Sequence, residues 1–144
     1  GYTYGPPRAV APLDQVRLVI EYGLTEIPAD QILMGIPNYG YDWKLPYIKG
    51  ESRAEKISSD EAIARAERYG AEIQFDETAQ SPYFYYPDEN GTSHAVWFED
   101  ARSLRAKLGL VSEYGLAGIS YWNIMNYFAA GASVLREMYQ VAKV

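Results

Sequence analysis

Two nearly continuous apolar runs constrain the fold of this chain more than any other feature of its sequence. Residues 31–37 read QILMGIP, and residues 115–122 read GLAGISYW. Continuous apolar character is typical of strands that are buried on both faces, as in a parallel sheet. Three segments with apolar residues at helical spacing flank these runs: residues 12–22, a segment that begins at Glu99, and residues 129–142. The sequence therefore predicts an α/β fold in which a right-handed crossover joins two parallel strands.

Two parallel strands cannot cover their own faces and edges, so we expect this chain to be part of a larger α/β architecture. A complete (β/α)8 barrel needs about 250 residues, whereas this chain has 144. We therefore expect part of such a barrel. Because the chain begins with Gly1 rather than Met, we also expect a processed chain or a piece of a longer one.

The middle of the chain has a different pattern, which predicts a small α+β unit. Ser58 and Glu61 have the spacing of a capping box at the start of a helix. Three short β-prone runs follow, and Asn90-Gly91 between the last two is a hairpin-turn signal. Residues 38–57 read as an aromatic loop. We therefore divide the chain into a partial barrel, residues 1–41 and 99–144, and an inserted α+β subdomain, residues 42–98.

Composition and charge exclude several classes of function. A net charge of −6 and an isoelectric point near 4.8 argue against nucleic acid as a partner. No apolar run approaches the roughly 18–20 residues that cross a bilayer, so we expect no membrane span. The chain has no cysteine, and its only histidine, His94, lacks partner ligands, so we predict no metal, no cofactor and a structural role for His94. The 14 tyrosines beside 4 phenylalanines favour a wet binding surface, such as one for sugars.

Several segments resemble glycoside hydrolase family 18, the chitinase-like enzymes. GIPNYG at residues 35–40 is similar to the signature of the seventh barrel strand, and residues 96–122 are similar to the run through the seventh helix into the eighth strand. Residues 1–12, 36–47 and 75–100 resemble, more specifically, the bacterial spore-germination and spore-cortex-lytic N-acetylglucosaminidases. The resemblance implies the C-terminal portion of a (β/α)8 TIM barrel, with its last two strands and their helices, and the family's inserted subdomain in the middle.

The resemblance also implies a reaction. Family 18 enzymes hydrolyse β-linked N-acetylglucosamine glycans, chitin-like or spore peptidoglycan, with retention, and the acetamido oxygen of the substrate acts as nucleophile. Their proton donor is the Glu of a D-x-x-D-x-D-x-E motif, which this sequence lacks. We therefore expect no catalytic residue in this chain and no activity of the segment alone. The full-length protein would be an extracellular, cell-envelope or spore glycosidase; the alternative is a lectin-like protein that binds sugar without cleaving it.

The carboxylate pairs that are present have local explanations. Three pairs stand at predicted helix starts or in a turn: Asp60 with Glu61, Glu99 with Asp100, and Asp88 with Glu89. Acidic residues favour the first turn of a helix because of the helix dipole, and they favour hairpin turns by local hydrogen bonding. We predict that none of them replaces the missing proton donor.

By the same resemblance, four residues at the ends of the two strands would contact sugar, because the C-terminal ends of barrel strands line the active site. Trp122 would be the aromatic floor under the sugar at the cleavage point; the alternative is a core Trp that closes the barrel. Tyr39 matches the signature tyrosine, with packing under the loop as its alternative. Tyr41 stands where many chitinases have a basic residue and is a sugar contact or an exposed loop aromatic. Asn38 is an amide partner for a sugar hydroxyl or a turn-forming residue.

The run SPYFYY adds one more candidate. Its alternation places Tyr83 and Tyr85 on one face and Phe84 and Tyr86 on the other. One pair should pack on the helix predicted at residues 59–69, and the other should form a wall of the cleft; the pattern leaves open which. We predict Tyr83 as a sugar contact. The expected partner is an N-acetylglucosamine-containing polysaccharide, and the exposed half-barrel edge also predicts self-association.

Overall fold

The computed structural model describes residues 2–123 and 128–139. The α-helices are α1 (Leu13–Gly23), α2 (Ser59–Arg68), α3 (Ala101–Tyr114) and α4 (Ala129–Met138). The β-strands are β1 (Leu33–Pro37), β2 (Tyr39–Lys44), β3 (Glu55–Ser58), β4 (Gln74–Asp76), β5 (Ser81–Pro87), β6 (Ser93–Trp97) and β7 (Gly118–Trp122). Short 3-10 helices occupy Tyr2–Tyr4 and Ala29–Gln31. A search of the described helices found none with the length and apolar character of a membrane span.

The two apolar runs form a two-stranded parallel sheet, as predicted. The register places Leu33 of β1 opposite Gly118 of β7 and ends with Pro37 opposite Trp122. The inward side chains join a core with the apolar faces of the helices: Ile20, Met34, Ile36, Leu104, Leu108, Leu110, Val111, Leu116 and Val134. The mixed α/β architecture is therefore confirmed, and both strands end at the same edge of their sheet.

Helix boundaries follow local capping chemistry. The Ser58 hydroxyl accepts a hydrogen bond from the Glu61 amide at 3.0 Å, so α2 begins where the capping pattern predicts. The Asp100 carboxylate caps α3 by accepting from the Ser103 amide, and Ser103 Oγ in turn accepts from the Asp100 amide. The prediction for the last helix extends to residue 142. In the structure α4 ends at Met138, and residues 140–144 lie outside the described part of the chain.

A five-stranded antiparallel sheet, in the order β3-β2-β6-β5-β4, makes up most of the middle of the chain. The prediction that residues 38–57 form a loop is wrong, because β2 lies within this range and β3 begins in it. β2 has no continuous apolar run: its aromatic residues alternate with Gly40 and Asp42. The alternation is a strand signal of period two. β2 begins at Tyr39, and only Asn38 separates it from the end of β1, so the chain passes at once from the parallel sheet into the antiparallel one.

The two faces of the antiparallel sheet have different neighbours. Phe84 and Tyr86 are buried against α2, together with Ala62 and Ala66. Tyr83 therefore points to the opposite face, which settles the orientation that the sequence left open. This opposite face, here called the aromatic face, carries Tyr39, Tyr41, Trp43, Lys56, Tyr83, Tyr85 and Trp97 by strand alternation and register.

A buried polar network holds α2 to its face of the sheet. Asp42 is 3% exposed, and its carboxylate accepts hydrogen bonds from Arg65 of α2 at 2.5 Å and from Tyr86 at 2.6 Å. His94 of β6 lies with Nδ1 2.6 Å from the other Asp42 oxygen. Burial is the main cause that raises the pKa of Tyr86, so its hydroxyl stays protonated and remains a donor. This network explains how a carboxylate is tolerated inside a strand.

Gly40 lies where β2 passes the end of β6. A Cβ atom at this position would stand 2.6 Å from both Phe98 Cβ and the carbonyl oxygen of Trp97. Phe98 is buried and the carbonyl belongs to the backbone, so neither can yield easily. We predict that Gly40→Ala lowers the free energy of unfolding by about 2–3 kcal/mol, measured by urea denaturation.

The matched control is Gly109→Ala in α3, where a Cβ would meet no atom within 4 Å. Because alanine is the better helix former, this control should gain up to about 1 kcal/mol. Equal stabilities of Gly40→Ala and the unaltered chain would contradict the close approach of β2 and β6.

Candidate functional site

Trp122 is the last residue of β7 and projects away from the core. Its side chain is exposed, at 66% of its full accessible surface, whereas Tyr121 before it packs partly against the core of the parallel sheet. Strand alternation explains the difference, since successive side chains point to opposite faces. Within these 144 residues the indole is not buried, and its role as the floor under a sugar remains a prediction. An exposed indole at the end of a strand offers a flat apolar face to a ligand.

Asn38 fixes the position of the strand end that carries Trp122. Its side-chain amide donates to the Asn123 carbonyl at 2.7 Å, and its side-chain oxygen accepts from the Asn123 amide at 3.1 Å. The backbone amide of Asn38 lies 3.4 Å from the Trp122 carbonyl. Asn38 is 5% exposed, so these bonds are largely shielded from water. The side chain thus continues the pairing of β1 with β7 beyond the strands, and its predicted contact with sugar remains a prediction.

Tyr39 directly follows Asn38 and is half-buried on the aromatic face. Its ring meets Tyr41 edge-on at 5.5 Å, and the Lys56 ammonium lies 4.1 Å from the ring centroid. Burial is the main cause that raises the pKa of Tyr39 to about 12, with neighbouring Tyr41 adding to it. The phenol is therefore protonated at neutral pH and can donate a hydrogen bond.

Tyr41 is less accessible than the sequence suggested. It is 8% exposed and packs with Val10, Trp43 and Ala54, so it is not an exposed loop aromatic. Its ring stands edge-on to Trp43 at 5.5 Å. The Trp43 indole donates to the Gly5 carbonyl at 3.0 Å, which attaches the N-terminal segment to the sheet. In this structure the buried Tyr41 ring packs edge-on against Tyr39. Its contact with sugar remains a prediction.

Tyr83 stands two strands away from Tyr41 on the same face. It stacks on Trp97 with ring centroids 4.6 Å apart, and Trp97 is directly opposite Tyr41 in the neighbouring strand. Tyr83 and Trp97 are both half-buried, whereas Tyr85 is exposed. The aromatic face is thus continuous from Tyr39 to Tyr83. Trp97 and Lys56 were not predicted from the sequence, although the Asn90-Gly91 turn fixes the hairpin register that sets Trp97 opposite Tyr83.

Glu99 differs from the other carboxylates. It is 2% exposed, and its Oε2 accepts from Lys107 Nζ at 2.9 Å and from Ser103 Oγ at 2.6 Å. In the described part of the chain its Oε1 has no hydrogen-bond partner. Burial raises the pKa of Glu99, and the charge of Lys107 opposes this effect. The helix-start explanation therefore holds for Asp100 but is wrong for Glu99, which belongs to a buried ion pair.

Removing Lys107 should make stability depend more strongly on pH. Without the ammonium, the pKa of Glu99 rises further above its unfolded value of about 4.3. The folded state then holds a proton that the unfolded state releases, so stability is greatest at low pH and falls as pH rises through the folded pKa. We expect Lys107→Met to cost about 3–5 kcal/mol at pH 8 and clearly less at pH 5, measured by urea denaturation.

The double variant Glu99→Gln with Lys107→Met is the control, because it has no titrating group at the pair. Its stability relative to the unaltered chain should show no such slope between pH 5 and pH 8. If Lys107→Met loses the same free energy at both pH values, the buried pair does not exist as described.

Comparison with known proteins places this geometry in a family. Residues 8–126 match the family model described as glycosyl hydrolases family 18. The cortical fragment-lytic enzyme of Bacillus subtilis (strain 168) is 49% identical over 143 residues, which are 99% of this chain and 33% of that protein. The cortical fragment-lytic enzyme of Bacillus anthracis is 44% identical with the same coverage. This chain therefore spans about a third of the length of these curated relatives.

Solved structures agree with the sequence relatives. The Bacillus cereus spore cortex-lytic enzyme SleL superposes with a TM-score of 0.95 and 44% identity, over 99% of this chain and 33% of that one. A chitinase from Chromobacterium violaceum superposes with a TM-score of 0.85 and 32% identity, over 96% of this chain and 44% of that one. The parallel strand pair, the antiparallel sheet beside it and the family match lead to one conclusion: the chain belongs to glycosyl hydrolases family 18.

Proposed function

We propose that this chain is the sugar-binding C-terminal segment of a family 18 glycosidase. The observation that carries the proposal is the exposed Trp122 at the end of β7, where Asn38 bonds to the next residue, Asn123. Tyr39 follows Asn38 in the chain, and in this proposal Trp122, Asn38 and Tyr39 form one sugar-binding wall. In this reading β1 and β7 are the last two strands of a (β/α)8 barrel, built from residues 1–41 and 99–144. Residues 42–98 are then the inserted subdomain, whose aromatic face forms a wall of the cleft.

The substrate of the complete protein is, in this proposal, a β-linked N-acetylglucosamine glycan. Relatives are named cortical fragment-lytic enzymes and chitinases, which supports this class of polymer. The indole of Trp122 stacks on the pyranose ring at the cleavage point, and Tyr39 donates a hydrogen bond from its protonated phenol. Tyr41, Asn38 and Tyr83 complete the proposed set of contacts.

The proposed reaction is hydrolysis with retention, in which the acetamido oxygen of the substrate attacks the anomeric carbon. The proton donor comes from outside these 144 residues. Glu99 cannot fill that role, because it is buried and paired with Lys107. We therefore expect the segment alone to be inactive and the complete protein to act at the spore, at the cell envelope or outside the cell.

A sugar-binding protein without hydrolytic activity is the second candidate. It is favoured by one observation: the proposed contacts Trp122, Asn38 and Tyr39 are aromatic or amide residues, and none of them is a carboxylate. The two candidates differ in one feature of the gene upstream of residue 1. A D-x-x-D-x-D-x-E motif there supports the enzyme, and a replaced Glu supports the binding protein.

The isolated segment should also self-associate. α1 and β1 border an apolar groove of about 450 Å³, and Val19, Ile27 and Leu33 on its walls are exposed. Exposed apolar surface beside an open strand edge tends to find a partner. Analytical ultracentrifugation of the segment should detect dimers or larger species at micromolar concentration; a monomer at all concentrations contradicts this expectation.

Replacing Trp122 tests the proposed function. In the complete gene product, Trp122→Ala should lower kcat/KM on N-acetylglucosamine oligomers about 100-fold, which equals roughly 2.7 kcal/mol of transition-state stabilisation. Trp122→Phe, which keeps a smaller aromatic face, should lose less. Circular dichroism checks that both variants are folded, as expected for a side chain that is mostly exposed. Unchanged activity of folded Trp122→Ala would remove this residue from the site.

A further inference from the structure

The chain enters the antiparallel sheet at one place and leaves it at another. It enters at Asn38, between β1 and β2, and leaves through residues 98–100, between β6 and α3. The first residue after the entry is Tyr39, and the middle residue of the exit is Glu99. The position of the antiparallel sheet relative to the parallel one therefore depends on how these two segments are held.

The entry and the exit lie side by side. β2 and β6 pair antiparallel with Tyr41 opposite Trp97, and continuing this register by two residues sets Tyr39 beside Glu99. The close approach of Gly40 to the end of β6 shows that the two segments stay together beyond the strand itself. Burial is the main cause that raises the pKa of Tyr39, and the charge of Glu99 adds to it, as expected of near neighbours.

Glu99 attaches the exit segment to α3. Its Oε2 accepts hydrogen bonds from Lys107 Nζ at 2.9 Å and from Ser103 Oγ at 2.6 Å, and both donors belong to α3. The three side chains are almost completely buried. α3 in turn packs on both strands of the parallel sheet, β1 and β7. Glu99 thus connects the neighbourhood of Tyr39 to the sheet that carries Trp122.

Stability alone does not explain a buried ion pair at this position. Taking both charges out of water is costly, and an apolar pair of similar volume often gives equal or greater stability. Apolar contacts are non-directional, whereas charge-assisted hydrogen bonds have a defined length and direction. What the pair supplies beyond burial is therefore a fixed position of Glu99 on α3.

We propose that Glu99 is a positioning residue, which through its bonds to α3 fixes the Tyr39 hydroxyl relative to the Trp122 indole. This inference rests on the proposed function, in which Tyr39 and Trp122 contact the same glycan. Glu99 is buried and touches no sugar, so its effect reaches the substrate through Tyr39. Contacts at a cleavage point are sensitive to such placement, because an error of about 1 Å can lower a rate up to about 100-fold.

The experiment replaces the ion pair by apolar side chains of similar size, Glu99→Leu with Lys107→Met, in the complete gene product. Urea denaturation gives the free energy of unfolding, and kcat/KM is measured on an N-acetylglucosamine oligomer. The matched control is Arg17→Gln with Glu113→Gln, which removes a solvent-accessible ion pair between α1 and α3. The conservative variant is Glu99→Asp, which keeps a carboxylate at this position.

We expect the apolar variant to be at least as stable as the unaltered protein at neutral pH and to have about tenfold lower kcat/KM. Glu99→Asp should retain most of the activity, and the control should retain all of it. Because the effect runs through the Tyr39 hydroxyl, the apolar pair should cost less than about twofold more in a Tyr39→Phe background. A purely structural role of the pair would not produce this non-additivity.

Two results would overturn the claim for Glu99 while the proposed function stands: a stable apolar variant with unchanged kcat/KM, or an undiminished further loss in the Tyr39→Phe background. If the apolar variant does not fold, Glu99→Gln with Lys107→Met takes its place, because the Gln oxygen still accepts from Ser103, and the same outcomes decide.

An unaltered protein that binds the oligomer without cleaving it is tested by calorimetry, and the same tenfold loss is then expected in affinity. If the unaltered protein neither cleaves nor binds any N-acetylglucosamine oligomer, the proposed function fails and the claim for Glu99 falls with it.

Discussion

The hydrogen bonds between Asn38 and Asn123 are the interaction on which the arrangement of the site depends. They extend the parallel pairing of β1 and β7 by one step past Pro37 and Trp122, across 85 residues of sequence. Each bond contributes only about 1 kcal/mol net, but losing a hydrogen bond at a side chain as buried as that of Asn38, which is 5% exposed, costs more. The bonds therefore fix the position at which Trp122 projects from the end of the parallel sheet and the position at which β2 begins.

β2 transmits this placement to the rest of the molecule. Tyr41 contacts both Tyr39 and Trp43 edge-on along one face of the strand. The Trp43 indole bonds to the Gly5 carbonyl of the N-terminal segment. On the other face, Asp42 joins the sheet to α2 through Arg65. A single strand thus connects the end of the parallel sheet, the aromatic face and the helix behind it, so the candidate contacts keep fixed relative positions.

The sequence predicts those parts of the fold that depend on local signals. The two apolar runs, the Ser58 cap and the Asn90-Gly91 turn each act within a few residues, and the structure has all of them. β2 was missed because residues that are distant in sequence stabilise it. Burial of Asp42 inside the strand depends on Arg65 and His94, which lie 23 and 52 residues away. Glu99 was misjudged because its partner Lys107 lies eight residues along the chain, about two helix turns beyond the cap.

The candidate site is predictable to a similar extent. Trp122 and Tyr39 can be predicted from the strand ends and the family motif. Trp97 and Lys56 can be placed on the aromatic face only once the cross-strand register is known. A crystal structure of the complete gene product with a bound N-acetylglucosamine oligomer would show whether Trp122 and Tyr39 form one sugar-binding wall. We expect a sugar ring within about 4.5 Å of the Trp122 indole and a hydrogen bond from the Tyr39 hydroxyl. An oligomer bound elsewhere, with the Trp122 indole facing only solvent, would contradict it.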